Sequence, residues 1–165
     1  MKNLYLIRHA KSDWSIESQN DFQRGLNSRG QKAVVTMAKE LKRRGIIPDL
    51  ILSSPAVRAK LTAKGLANRI SYDAKIKYLE NLYLSDPLAV INIIKEIKDK
   101  YDTVFIIGHN PETTELTDLM VDDYIDNIPT LGIVSLSVPV KHWKKFKPEK
   151  AKLNFYIYPK MFKKK

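Results

Sequence analysis

Apolar residues along this chain fall into two alternating patterns. Residues 3–7, "PDLILSS" (48–54), "KIKYL" (75–79), "TVFII" (103–107), "GIVSLSV" (132–138) and "KLNFYIY" (152–158) are short runs bounded by turn residues, which predicts strands. Between them the spacing changes to three and four. Ala33, Val34, Met37, Ala38 and Leu41 share one helical face, and Gly45 can stop that helix. "SPAVRAKLTAKGLANRI" predicts a helix with Ser54 as its cap and Pro55 at its first position. "DPLAVINIIKEIKDK" predicts another, with Leu88, Ile91, Ile94 and Ile97 on its apolar face. "NPETTELTDLM" begins a fourth, capped by Asn110 with Pro111 behind it.

Strands alternating with helices predict an α/β domain, a three-layer α/β/α sandwich around a mostly parallel sheet. "TVFII", the most apolar run, belongs at the centre of that sheet. The last two strands are expected as antiparallel edges. Residues 11–26 are polar and aperiodic, a long loop for a compact domain. No repeat or low-complexity linker divides the 165 residues, so one domain over 1–160 followed by a basic tail, 161–165, is expected.

Composition narrows the chemistry. The chain has no cysteine, which removes disulfides, thiolate nucleophiles and Cys-ligated metals. The start lacks the order of a signal peptide, and no apolar run approaches the ~20 residues that cross a bilayer. The expectation is a cytoplasmic protein without a membrane partner. The net charge of +11 first suggests nucleic acid. Its distribution does not. Residues 141–165 carry ten Lys and one Glu, a net +9, which leaves +2 for residues 1–140. A basic module for RNA or an acidic protein is the non-enzyme alternative, but it has no use for imidazoles at strand ends. Nucleic acid is therefore disfavoured as a partner.

The imidazoles are the informative residues. Arg8 and His9 follow the first strand directly, Arg58 lies in the first turn after the second strand, and His109 follows "TVFIIG". Ligands of open α/β sheets bind outside the carboxyl ends of the strands. Two Arg and two His, up to 101 positions apart, are thereby expected on one edge beside two helix N-termini. Guanidinium forks there match the oxygens of phosphate. The third histidine, His142 in "KHWKKF", lies in the basic region and reads as structural. No two His share ligand spacing on one helix, so no zinc site is expected.

"LYLIRHAKS", "LSSPAVRAKLTA", "YLENLY" and "IIGHNPETTEL" together resemble the histidine phosphatase superfamily, with its phosphoglycerate mutase-like fold. The short chain and the Arg-His-Ala-Lys start are similar to its phosphohistidine phosphatase, SixA-like branch. Gly25 stands where that branch often has Pro, and Glu112 where Gly often follows His-Asn-Pro. The resemblance implies that His9 is the nucleophile and that Arg8, Arg58 and His109 hold the phosphoryl oxygens. It implies Glu80, at the end of "KIKYLE", as general acid or base. It implies no metal and no cofactor, the cationic ring supplying the charge. The implied partner is a phosphorylated protein carrying phosphohistidine, or else a small phosphorylated metabolite. Arg8 is further expected to disfavour protonation of His9.

Overall fold

The computed structural model describes residues 1–163; Lys164 and Lys165 of the expected tail lie outside the described residues. Six strands form one sheet: β1 (Lys2–Arg8), β2 (Leu50–Ser53), β3 (Ile76–Tyr78), β4 (Thr103–Gly108), β5 (Ile133–Val138) and β6 (Lys152–Ile157). Their order is β3-β2-β4-β1-β5-β6. β1, β4, β2 and β3 run parallel, β5 is antiparallel to β1, and β6 is antiparallel to β5. The apolar "TVFII" run is central, as its composition predicted. Of the two late strands only β6 is an edge. β5 pairs with β1 on one side and β6 on the other, and all of its residues except Ser137 are buried.

Four helices complete the layers: α1 (Ser28–Arg43), α2 (Val57–Arg69), α3 (Pro87–Lys95) and α4 (Glu112–Met120). Strand alternation sorts the core into two. Leu4, Leu6, Val104 and Ile106 face α3 and α4, joined by Ile94, Leu116 and Trp143. Tyr5, Ile7, Phe105 and Ile107 face α1 and α2, joined by Met37, Leu41, Ala63 and Leu66. This is the three-layer sandwich expected from the sequence.

Three local expectations are corrected. α2 starts at Val57 with Ala56 as its N-cap, not Ser54, whose hydroxyl accepts the Ala56 N–H at 3.2 Å and also meets His109. α4 has Pro111 at its N-cap, although Asn110 still accepts hydrogen bonds from Thr114 N–H and Oγ1. On α3, Leu88 is 66% exposed, while Val90, Ile93 and Ile94 are buried. The buried stripe runs through Val90, Ile93, Ile94 and Ile97, rotated from the face expected from the spacing.

Residues 11–27 are an ordered excursion rather than a free loop. Ser12 bridges Leu26, Asp13 N–H donates to Gly25 O at 2.8 Å, and a 3-10 turn spans Asp21–Gln23. Asn27 caps α1 through Gly30 N–H at 2.8 Å. A Cβ on Gly30 would lie 2.2 Å from the Lys11 carbonyl oxygen, so only glycine lets the excursion rest on α1. At the other end of the chain, Pro159–Phe162 forms a 3-10 turn, and half-buried Phe162 packs on the core face of α1 and α2.

Candidate active site

β1 delivers Arg8 and His9 to the carboxyl edge and then stops against fixed backbone. Arg8 N–H donates to Gly132 O at 3.1 Å and His9 N–H to Gly108 O at 3.0 Å. Leu131, in the left-handed region at φ 55°, donates its N–H to the carbonyls of both Arg8 and His9 at 3.0 Å. Ala10 N–H donates to Thr62 Oγ1 at 2.9 Å, and that hydroxyl donates to Arg58 O at 2.8 Å. One threonine thus couples the end of β1 to the first turn of α2.

The His9 ring is buried and 2.7 Å from the Ala10 carbonyl through Nδ1. A carbonyl only accepts, so Nδ1 carries the proton and Nε2 keeps its lone pair. Burial lowers the His9 pKa to about 3; His109, Arg58 and, last, Arg8 add to the effect. The ring is neutral at pH 7, as expected, but desolvation does most of this and Arg8 least.

His109 leaves β4 opposite, with ring centroids 5.1 Å apart. Its Nε2 is 2.7 Å from Ser54 Oγ, and this is where the serine read as a helix cap is engaged. Burial, then Arg58, lowers its pKa to about 4, against a raising effect from Asp21. Arg8 donates through Nη1 to Ile128 O at 2.9 Å. Arg58 donates through Nη1 to Asp21 O at 2.7 Å and through Nη2 to Asp21 Oδ2 at 3.0 Å.

Arg8, His9, Arg58 and His109 therefore meet at one edge. Each of the other three lowers the pKa of His9, and burial, then Arg58, lowers that of Arg8. Glu80 opens the 3-10 turn Glu80–Leu82 after β3, is exposed, and makes no side-chain hydrogen bond among the described residues. His142, read as structural, pairs through Nδ1 with Asp99 Oδ2 at 2.8 Å.

Three residues at the site were not singled out from the sequence: Asp21, Arg24 and Tyr83. Arg24 is buried, donates through Nη2 to Asp21 Oδ1 at 2.7 Å, also bonds Ser12 Oγ, and stacks 3.5 Å from the ring centroid of Trp14. Tyr83 donates its hydroxyl to Asp21 Oδ2 at 2.7 Å, and its ring centroid is 5.6 Å from that of His109. Arg24 foremost, then Tyr83 and Arg58, hold the Asp21 carboxyl well below the usual carboxylate range. A signal was present in "DFQRG", an acid and an arginine three apart inside an otherwise polar loop.

Among the described residues, four buried side-chain polar atoms have no hydrogen-bond partner: Nε of Arg8, Arg24 and Arg58, and Nδ1 of His109. Each such atom costs about 1–3 kcal/mol, and more where the group is charged. All four belong to this one edge. Three guanidinium donors around a neutral imidazole fit a compact oxyanion with several acceptor oxygens.

The sequence and fold place this site among known proteins. The model of the histidine phosphatase superfamily (branch 1) matches residues 4–83. The uncharacterized protein Rv1276c of Mycobacterium tuberculosis is 32% identical over 163 residues, covering 93% of this chain and 99% of that protein. SixA from Agrobacterium tumefaciens, provisionally named a phosphohistidine phosphatase, superposes with a TM-score of 0.83 at 26% identity, over 96% of this chain and 98% of its own. The protein histidine phosphatase SixA complexed with tungstate gives 0.83 at 19% identity, over 98% and 99%. The chain belongs to the histidine phosphatase superfamily, and its fold is SixA-like. It is a phosphatase, a hydrolase of phosphorylated substrates.

Proposed function

We propose that the chain removes phosphoryl groups from protein phosphohistidine through a phosphohistidine intermediate on His9, without a metal. The observation that supports this is a buried, neutral His9 with Nε2 unprotonated, its ring 5.1 Å from that of His109, beside unpartnered guanidinium N–H groups of Arg8 and Arg58. Nε2 attacks phosphorus, the bond from phosphorus to the substrate nitrogen breaks, the phosphoryl group moves to His9, and the substrate ring, with a solvent-derived proton on its other nitrogen, leaves as neutral imidazole. Water then attacks that phosphorus, inorganic phosphate leaves, and His9 returns to its neutral form. The guanidinium groups and His109 bind the equatorial oxygens and the charge that builds in the transition state. They supply the positive charge for which kinases use magnesium.

Glu80 would protonate an ester leaving group and later activate water. An imidazole leaving group departs more easily, so turnover of phosphohistidine depends less on that carboxylate than turnover of a phosphate ester does. The test is an assay of one phosphohistidine protein against a panel of small phosphate esters, with and without EDTA. The expected result is preference for phosphohistidine and full activity after chelation. Higher kcat/KM on an ester would reassign the substrate to a small metabolite. Loss on chelation that a divalent ion restores would reject the metal-free scheme.

A further inference from the structure

We propose that Asp21 is a positioning residue for the phosphate clamp, turning the free N–H edges of Arg58 and Arg24 toward the transferring phosphoryl group. The inference rests on the phosphoryl-transfer reading above.

Arg58 gives Nη1 to the Asp21 main-chain carbonyl at 2.7 Å and Nη2 to Asp21 Oδ2 at 3.0 Å. Those two bonds occupy the end of the guanidinium. Nε–H and the second hydrogen of Nη2 remain along its side edge, and Nε has no acceptor in the protein. Two parallel N–H groups on one edge form the fork that binds two phosphate oxygens. Arg24 repeats the arrangement, with Nη2 on Asp21 Oδ1 at 2.7 Å and Nε without an acceptor. The Tyr83 hydroxyl on Oδ2 at 2.7 Å fixes the rotation of the carboxylate.

One carboxylate therefore sets the orientation of two like-charged groups that would otherwise repel. Both guanidinium side chains are 7% exposed, so they lack the water that would screen them. An alternative role as proton donor fits poorly, because Arg24, Tyr83 and Arg58 keep Asp21 ionised. A loop staple is the other alternative, and it makes a different forecast. A staple changes how much protein is folded. A positioning residue changes how folded protein divides its affinity between ground state and transition state.

The experiment compares the full chain with Asp21→Asn, which keeps the shape and removes the charge and one acceptor. Measure kcat and KM on a phosphohistidine protein, and the dissociation constants of inorganic phosphate and vanadate by calorimetry. Vanadate takes the five-coordinate geometry of the transition state. In Asp21→Asn, kcat should fall about 10- to 100-fold, as misplaced groups commonly cost. Vanadate should weaken in proportion. Phosphate should stay within roughly threefold, because the site gains a net positive charge as it loses order. Tyr83→Phe should show the same split, smaller, and serves if Asp21→Asn does not fold. Partial unfolding lowers the number of sites, not the ratio of the two constants. An unchanged vanadate-to-phosphate ratio with wild-type kcat would overturn the proposal. If the wild-type chain hydrolyses no phosphohistidine, the substrate assignment falls, and the two anion affinities still decide the role of Asp21.

Discussion

β1 carries a cation near each end, and the two are handled in opposite ways. Lys2 is 4% exposed, and its Nζ donates to Asp99 O at 2.6 Å and to Asp102 Oδ1 at 2.8 Å. Six residues later Arg8 is half-buried, bonds one neutral carbonyl, and has no carboxylate partner among the described residues. Its charged neighbour is Arg58, which with burial pulls its pKa down. A partly buried charge whose Nε has no acceptor in the protein is costly for a fold to keep. The paired end serves folding. The unpaired end is explained by an anionic substrate that completes it.

Removing each cation in turn should separate the two ends most sharply. Arg8→Ala should lower kcat/KM about 100- to 1,000-fold, the usual cost of one transition-state donor, and leave the thermal midpoint unchanged or higher. Lys2→Ala should do the reverse, losing about 1–3 kcal/mol in urea unfolding while kcat/KM holds. Equal effects on stability from both would erase the distinction.

Acid should separate the two ends by pH window. His9 and His109 titrate near 3 and 4 when folded and near 6.5 when unfolded, so the unfolded chain binds more protons between those values. Stability is then full above about pH 6.5 and falls as pH drops toward 3. Asp99 and Asp102 are held below the ordinary 3.8, Asp99 chiefly by His142 and Asp102 chiefly by Lys2. Their contribution is present above 3.8 and is lost only below it. Urea unfolding from pH 8 to 4 should show the first loss in wild type, and less of it in His9→Ala. A flat profile in wild type would contradict the buried neutral imidazoles.

The smallest effect belongs to a residue at neither end. Glu80→Gln should change turnover of phosphohistidine by less than about fivefold, and that of an ester by about 10- to 100-fold. Steady-state kinetics on both substrates will show whether the leaving group sets its importance.

The contrast also shows why parts of the site were readable from sequence. Arg8, His9, Arg58 and His109 stand at fixed offsets from apolar strands, so the sheet alone puts them on one edge. Asp21 and Arg24 lie in residues 11–27, whose shape comes from long-range bonds: the Ser12–Leu26 bridge, the Asn27 contacts and the seat on Gly30. No periodicity announces those. Ser54 had the right residue type for a helix cap and its hydroxyl does accept the Ala56 N–H, but its second contact, with His109, exists only in the folded chain. Leu88 was placed on the buried face by spacing, but where that face begins depends on how α3 docks.

The central claim is that His9 Nε2 becomes phosphorylated. Mix the enzyme with a phosphohistidine protein, quench into base within milliseconds, and map the base-stable, acid-labile phosphate by mass spectrometry. The expected result is phosphate on His9 in wild type and none in His9→Ala, whose turnover is abolished while inorganic phosphate still binds through Arg8, Arg58 and His109. Near wild-type turnover by His9→Ala, or phosphate mapped to another side chain, would contradict it.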